Sequence, residues 1–255
     1  MGFRAYAGRK LAHYLTQPVH ARGFGISTNI TYLSAVLQPG DVLLVEGITR
    51  VSSAIKYLTQ STWSHAALFV GQHLHEALGD NALPGHALIE ADVKDGVRSV
   101  PLSAYAGLHT RICRPVGLTS AETRQVCSYA ITSLGDQYDL RNMFDLARYL
   151  LPEPPIPRRF RRQLMSVGSG DPTRAICSTL IAKAFYTINY PILPNRSIHD
   201  EHNTSTYEAM RHASLFTPRD FDVSPYFSVI KPTIEVGFNF HENTGMTAFS
   251  EELLA

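Results

Sequence analysis

Apolar and polar positions alternate in blocks along the chain, and the blocks change period. Behind the turn signal 39-PGD-41, Val42 to Val45 form an unbroken apolar run that predicts a buried strand. In 50-RVSSAIKYLTQ-60, Val51, Ile55 and Leu58 recur close to helical spacing. A second apolar run, about 65–71, predicts another strand, and it opens on His65. The segment 72–86 is rich in Gly, Pro, Asn and Asp, and a loop is expected there. Strands follow at 87–93 and 97–102, joined through Asp95-Gly96, a hairpin signature, and again at 109–116.

Helical signals then take over. Over 119–135, Thr119 and Glu122 have the spacing of a capping box and Gly135 supplies a stop. A helix is expected at 140–150. It ends at 151-LPEPPIPRRFRR-162, whose prolines exclude regular structure. In 177-CSTLIAKAFYTIN-189, Leu180, Ile181, Ala184, Phe185 and Ile188 predict a buried helix. A turn and a late strand are expected over 217–230, and a frayed tail after about 240. Strands in consecutive runs flanked by helices indicate an α+β fold with an antiparallel sheet.

Composition narrows the class. The 255 residues, with a net charge of +1, suit one large domain and give no field that would attract nucleic acid. There is no basic face and no helix-turn-helix signal, so no nucleic-acid partner is expected. The N-terminus lacks the apolar core of a secretory signal, and no apolar run reaches the roughly 20 residues of a membrane span. A cytoplasmic location is the expectation, with peripheral membrane attachment or export without a signal peptide as alternatives. Two segments could touch a membrane surface: the amphipathic start around Phe3, Tyr6, Leu11 and Tyr14, and the cluster Arg158 to Arg162. The competing readings are a helix packed on the domain's own body and a solvated charged loop.

Three cysteines with no CxxC spacing exclude a disulfide scaffold and a structural zinc site. Cys113 falls in a strand and Cys127 in a helix, and both read as core. Cys177 is different. It stands in the first turn of its helix, where unpaired N–H groups and the helix dipole favour a thiolate. A small buried residue is the competing reading. His65, at a strand end, can serve it as a base while its strand stays buried. An orienting group is then needed, and Glu90 can sit beside His65 if strands 65–71 and 87–93 pair antiparallel. Glu76 and Asp92 are rivals. Two histidines in 73-HLHE-76 have no third ligand, so neither a metal nor any other cofactor is expected.

The ordered set GDVLLVEG, SHAALFVG, LIEADVKDGVRSVPLSAY, LGDQYD and CSTLIAKAF, within residues 38–190, resembles the permuted papain-like amidases of the YaeF/YiiX type. These form the circularly permuted branch of the NlpC superfamily, in which the His strand precedes the Cys helix. The strand near 226–232 extends the resemblance. It implies a circularly permuted papain-like core at 37–235 between an N-terminal helical extension, 1–36, and a tail, 236–255. It also implies a Cys177–His65–Glu90 triad acting through a thioester. Tyr138 matches the superfamily's oxyanion-side Tyr. The backbone N–H of Cys177 is a further donor, and Ser178, Trp63 and Ser64 are neighbouring oxyanion or substrate candidates. The expected partner is a small acyl or peptide-like substrate, with an amide as the bond cleaved. Alternatives are a lipid acyl hydrolase or acyltransferase related to the lecithin:retinol acyltransferase-like enzymes, and a binding module on the same fold. The Asn-Cys-Glu-His run of the lipid enzymes is absent: the residues are 176-ICST-179.

Overall fold

A computed structural model describes residue 17 and residues 29–92, 95–137, 176–194, 196–199, 206–209 and 212–237. The strands expected from the apolar runs build one antiparallel sheet. Its members are β1 (Val42–Val45), β2 (His65–Phe69), β3 (His86–Asp92), β4 (Gly96–Pro101), β5 (Thr110–Pro115) and β8 (Phe227–Ile230), in the order β4-β3-β2-β1-β5-β8. A separate hairpin pairs β6 (Arg196–His199) with β7 (Thr206–Ala209). The helices are α1 (Ile30–Val36), α2 (Arg50–Thr59), α3 (His73–Leu78), α4 (Ser120–Thr132), α5 (Ile176–Tyr186), α6 (Pro218–Asp222) and α7 (Pro232–Glu235). The fold class is therefore α+β.

The central strand β1 is buried along its whole length because both sheet faces are covered. On one face Val42, Leu44, Ala66, Leu68, Ile89, Ala91 and Val97 pack with Val126, Cys127 and Ala130 of α4 and with Leu180, Ile181, Ala184 and Phe185 of α5. On the other, Leu43, Val45, Ala67, Leu88, Val100 and Ile112 pack with Leu33 and Leu37 and with Tyr105. This second layer was missed in the apolar pattern, since α1 is short and contributes few buried positions.

The capping box expected at Thr119 and Glu122 is present: the Thr119 side chain accepts from the Glu122 N–H while the Glu122 carboxylate accepts from the Thr119 N–H. The loop expected over 72–86 is instead a helix, α3, followed by a short 3-10 turn at Gly79–Asn81. Burial of Leu74 between α3 and the core, and a 2.8 Å contact between His73 and Glu76, outweigh the local turn propensities. The helix expected at 140–150 and the proline-rich run at 151–162 lie outside the described residues. Among the described residues, no helix is long and apolar enough to cross a membrane.

The chain leaving α4 docks on the outer edge of β4. Val97 donates to the Asp136 carbonyl at 3.0 Å and accepts from Gly135 at 2.9 Å. This covers an otherwise open sheet edge. It works only because Gly96 opens β4: its φ is +75°, and a Cβ there would lie 2.4 Å from the Asp136 carbonyl oxygen. Gly96→Ala should cost about 2 kcal/mol or more in urea unfolding, from strain and from loss of that docking. An unchanged midpoint would mean the segment is not held as described.

Candidate active site

The β2–β3 ladder joins Leu68 to Ile89 and Phe69 to Leu88, and its register ends there. Toward His65 the two strands part. Val70 donates to Ala87 of β3. By the alternation of a β-strand, the Ala66 N–H lies on the same edge, facing the opening. Cys177, the second residue of α5, fills that opening, and the Ala66 N–H donates to its sulfur. The Ser178 hydroxyl lies 4.0 Å from the same sulfur.

His65 and Glu90 belong to the opposite sheet face, the one lined by Ala67 and Leu88. His65 Nε2 meets Glu90 Oε2 at 2.5 Å, and the imidazole is coupled electrostatically to the Cys177 side chain. With Nε2 taken by the carboxylate, Nδ1 is the ring nitrogen left for the sulfur. His65 is thus coupled to both Glu90 and Cys177 at the end of β2 beyond which the β2–β3 ladder is not continued. Cys177 is 4% exposed, whereas 24% of the His65 side chain is open to solvent.

Electrostatics favour a charged pair. Burial would push the Cys177 thiol up, but the facing His65 charge, the His65 hydrogen bond, the Ala66 N–H and the Ser178 hydroxyl bring it below its ordinary value. Burial would likewise lower His65, yet the Cys177 charge and hydrogen bond, followed by Glu90, hold it well above 6.5. Burial would raise Glu90, and His65, Tyr105 and Arg98 together pull it down to about 2. The other cysteines behave oppositely: burial pushes Cys113 and Cys127 to about 12. Their reading as core holds, since both are fully buried.

The antiparallel pairing that would bring Glu90 to His65 is present, and the rivals are engaged elsewhere. Glu76 pairs with His73, and Asp92 lies 3.7 Å from Arg98. Of the remaining candidates, Trp63 is buried and donates through Nε1 to Asp222 at 2.9 Å, under the Arg111 guanidinium and beside the His109 ring. It ties α6 to the sheet. Ser64 Oγ accepts from the Gly47 N–H at 2.9 Å, so it braces the turn before His65. Tyr138 lies outside the described residues, as do Arg158 to Arg162 and the N-terminal amphipathic stretch. Among the described residues, no three His, Cys, Asp or Glu side chains converge as metal ligands.

Two residues at this site were not singled out from sequence. Arg98 binds Glu90 Oε1 through Nε at 2.9 Å and Nη2 at 2.8 Å. The Tyr105 hydroxyl donates to Glu90 Oε2 at 2.6 Å. Arg98 had only a partial signal: the Asp95-Gly96 hairpin brings β4 beside Glu90, but a two-residue turn there would set Glu90 opposite Pro101, whereas Asp92 pairs with Gly96 and Glu90 with Arg98. Tyr105 had no such signal, because a 3-10 turn at Leu102–Tyr105 sets its direction.

Comparison with known proteins places these residues in a family context. No curated protein matches the chain. Among solved structures, the crystal structure of metalloprotein yiiX from Escherichia coli O157:H7 is similar, with 15% identity and a TM-score of 0.46 over 76% of this chain and 96% of that one. The model of the family described as permuted papain-like amidase enzyme, YaeF/YiiX, C92 family, matches residues 36–149, which include His65 and Glu90 and stop short of Cys177. Residues 36–149, the part of the chain that carries β1 to β5 and α4, are thus similar to the permuted papain-like amidases of the YaeF/YiiX type.

Proposed function

We infer that the protein is a cysteine-dependent hydrolase that cleaves an amide bond, peptide-like or of cell-wall type, through a thioester on Cys177. One observation carries this reading: the His65 ring is held between the Cys177 thiol and the Glu90 carboxylate at the start of a helix. The family match supports the amidase class.

In this scheme the Cys177 thiolate attacks the carbonyl carbon, forming a C–S bond and moving an electron pair onto oxygen. The backbone N–H of Cys177, in the first turn of α5, then donates to that oxygen. The tetrahedral species collapses, the C–N bond breaks, and the His65 imidazolium gives its proton to the departing amine. Neutral His65 then takes a proton from water as water attacks the thioester. The C–S bond breaks, the acid departs and the thiolate–imidazolium pair is restored. Glu90 keeps the ring oriented and stabilises its charge throughout.

The test is a panel of γ-D-glutamyl peptides and other peptide amides, set beside acyl-lipid esters, with intact-mass detection of acyl-Cys177 after acid quench. Amide cleavage with a Cys177 adduct is expected. Turnover of acyl lipids alone would move the assignment to the lipid alternative. No turnover of either class would contradict the hydrolase reading.

A further inference from the structure

The Glu90 carboxylate is held before it ever meets His65. Both of its oxygens are occupied: Oε1 by Nε and Nη2 of Arg98, Oε2 by the Tyr105 hydroxyl and by His65 Nε2. Arg98 is itself locked, since Nη1 meets Asp95 at 2.5 Å and Nη2 lies 3.7 Å from Asp92. Tyr105 is buried, with its ring centre 6.4 Å from that of His65. The charged and titratable groups around the carboxylate are therefore His65 from β2, Asp92 from β3, Arg98 from β4, Asp95 from the hairpin turn, Tyr105 from the 3-10 turn, and Cys177 from α5 beyond the imidazole.

A glutamate side chain left to itself has three rotatable bonds, and holding it in one arrangement costs about 1–2 kcal/mol. Buried, it would also tend to take up a proton in mild acid. A protonated Glu90 donates where it should accept. It would force the proton off Nε2 and leave the imidazolium without its counter-charge.

We propose that Arg98 and Tyr105 are positioning residues for the acyl-transfer chemistry: they fix the two oxygens of Glu90 and keep it ionised, so that an Oε2 lone pair always faces His65 Nε2. The proposal rests on the triad reading of Cys177, His65 and Glu90. Both residues act through Glu90, and their effect is greatest on the acid side, where an unsupported carboxyl would begin to protonate.

The experiment follows the Glu90 carboxyl by 13C NMR through a pH titration, in wild type, Tyr105→Phe, Arg98→Gln and Arg98→Lys. Iodoacetamide alkylation of Cys177 is measured in parallel at about pH 5. Wild-type Glu90 is expected to stay ionised down to about pH 2. Its midpoint should climb by about one pH unit in Tyr105→Phe and in Arg98→Gln, and Arg98→Lys should recover most of the change. A climb of about one unit from about 2 leaves Glu90 ionised at pH 5, so alkylation there should fall only about threefold in the first two variants, through the loss of its fixed orientation toward His65. Tyr105→Phe keeps the ring in its buried slot and so keeps the test open if Arg98→Gln does not fold. Folded variants whose Glu90 midpoint stays at the wild-type value would overturn the proposal alone. Alkylation that ignores His65→Ala would instead remove the triad reading, and this proposal with it.

Discussion

Cys177→Ala should abolish turnover of any substrate the wild type cleaves, lowering kcat/KM by a factor of at least about 10⁴, because no thioester can form without the sulfur. The stability of the variant should change little. The exchange removes one buried sulfur, and alanine fits the second position of α5 without strain. Circular dichroism and a thermal melt beside the rate measurement would separate the two effects. Residual activity near the wild-type level would mean that the chemistry belongs to another residue. The only other cysteines, Cys113 and Cys127, are unfit for it, since burial pushes both thiols to about 12.

Glu90→Gln is expected to have the second largest effect, a loss of about 10²- to 10⁴-fold in kcat/KM, together with a displaced pH profile. The signs follow from the two partners. Activity needs the thiolate, so the acid limb falls where Cys177 protonates, below its ordinary value of 9.0. It also needs the imidazolium for the leaving group, so the alkaline limb falls where His65 loses its proton, well above 6.5. Glu90 helps to hold His65 up. Without its charge the alkaline limb should retreat to lower pH and the bell should narrow. Glu90 also has a consequence for stability. Its folded-state value, about 2, lies below the ordinary 4.5. Its contribution is therefore complete above about pH 4.5 and is lost as the pH falls toward 2. Glu90→Gln should flatten that acid side of the stability curve. A bell of unaltered width would show that Glu90 does not act on His65.

Much of this site was legible in the chain because it hangs on local patterns. The apolar run that begins at His65 fixed a strand end. The helical spacing from Cys177 to Ile188 fixed a helix start. The Asp95-Gly96 signal marked the β3–β4 hairpin, though not the register that puts Glu90 opposite Arg98. Each of these is a statement about neighbours in sequence. What escaped depends on contacts between distant segments. That Cys177 of α5 is coupled to His65 at the end of β2, beyond which the β2–β3 ladder is not continued, is a packing outcome with no sequence period behind it. Tyr105 reaches Glu90 through the direction of a 3-10 turn, and α3 forms in a stretch of turn residues because Leu74 is drawn into the core. Trp63 and Ser64 stood beside His65 in sequence and were read with it. Their side chains serve the α6 anchor and the Gly47 turn instead.

The most direct test of the thiolate–imidazolium pair is the rate of iodoacetamide alkylation of each cysteine at about pH 6, read by peptide mass mapping in wild type and His65→Ala. An ordinary thiol, with a pKa of about 8.5, is almost fully protonated there and reacts slowly. Cys177 alone should react fast in wild type and become slow in His65→Ala, while Cys113 and Cys127 stay slow in both. If Cys177 reacts no faster than the other two, the pair does not exist in solution and the binding-module reading takes over; if it reacts just as fast without His65, the thiolate does not depend on the imidazole and the triad reading fails.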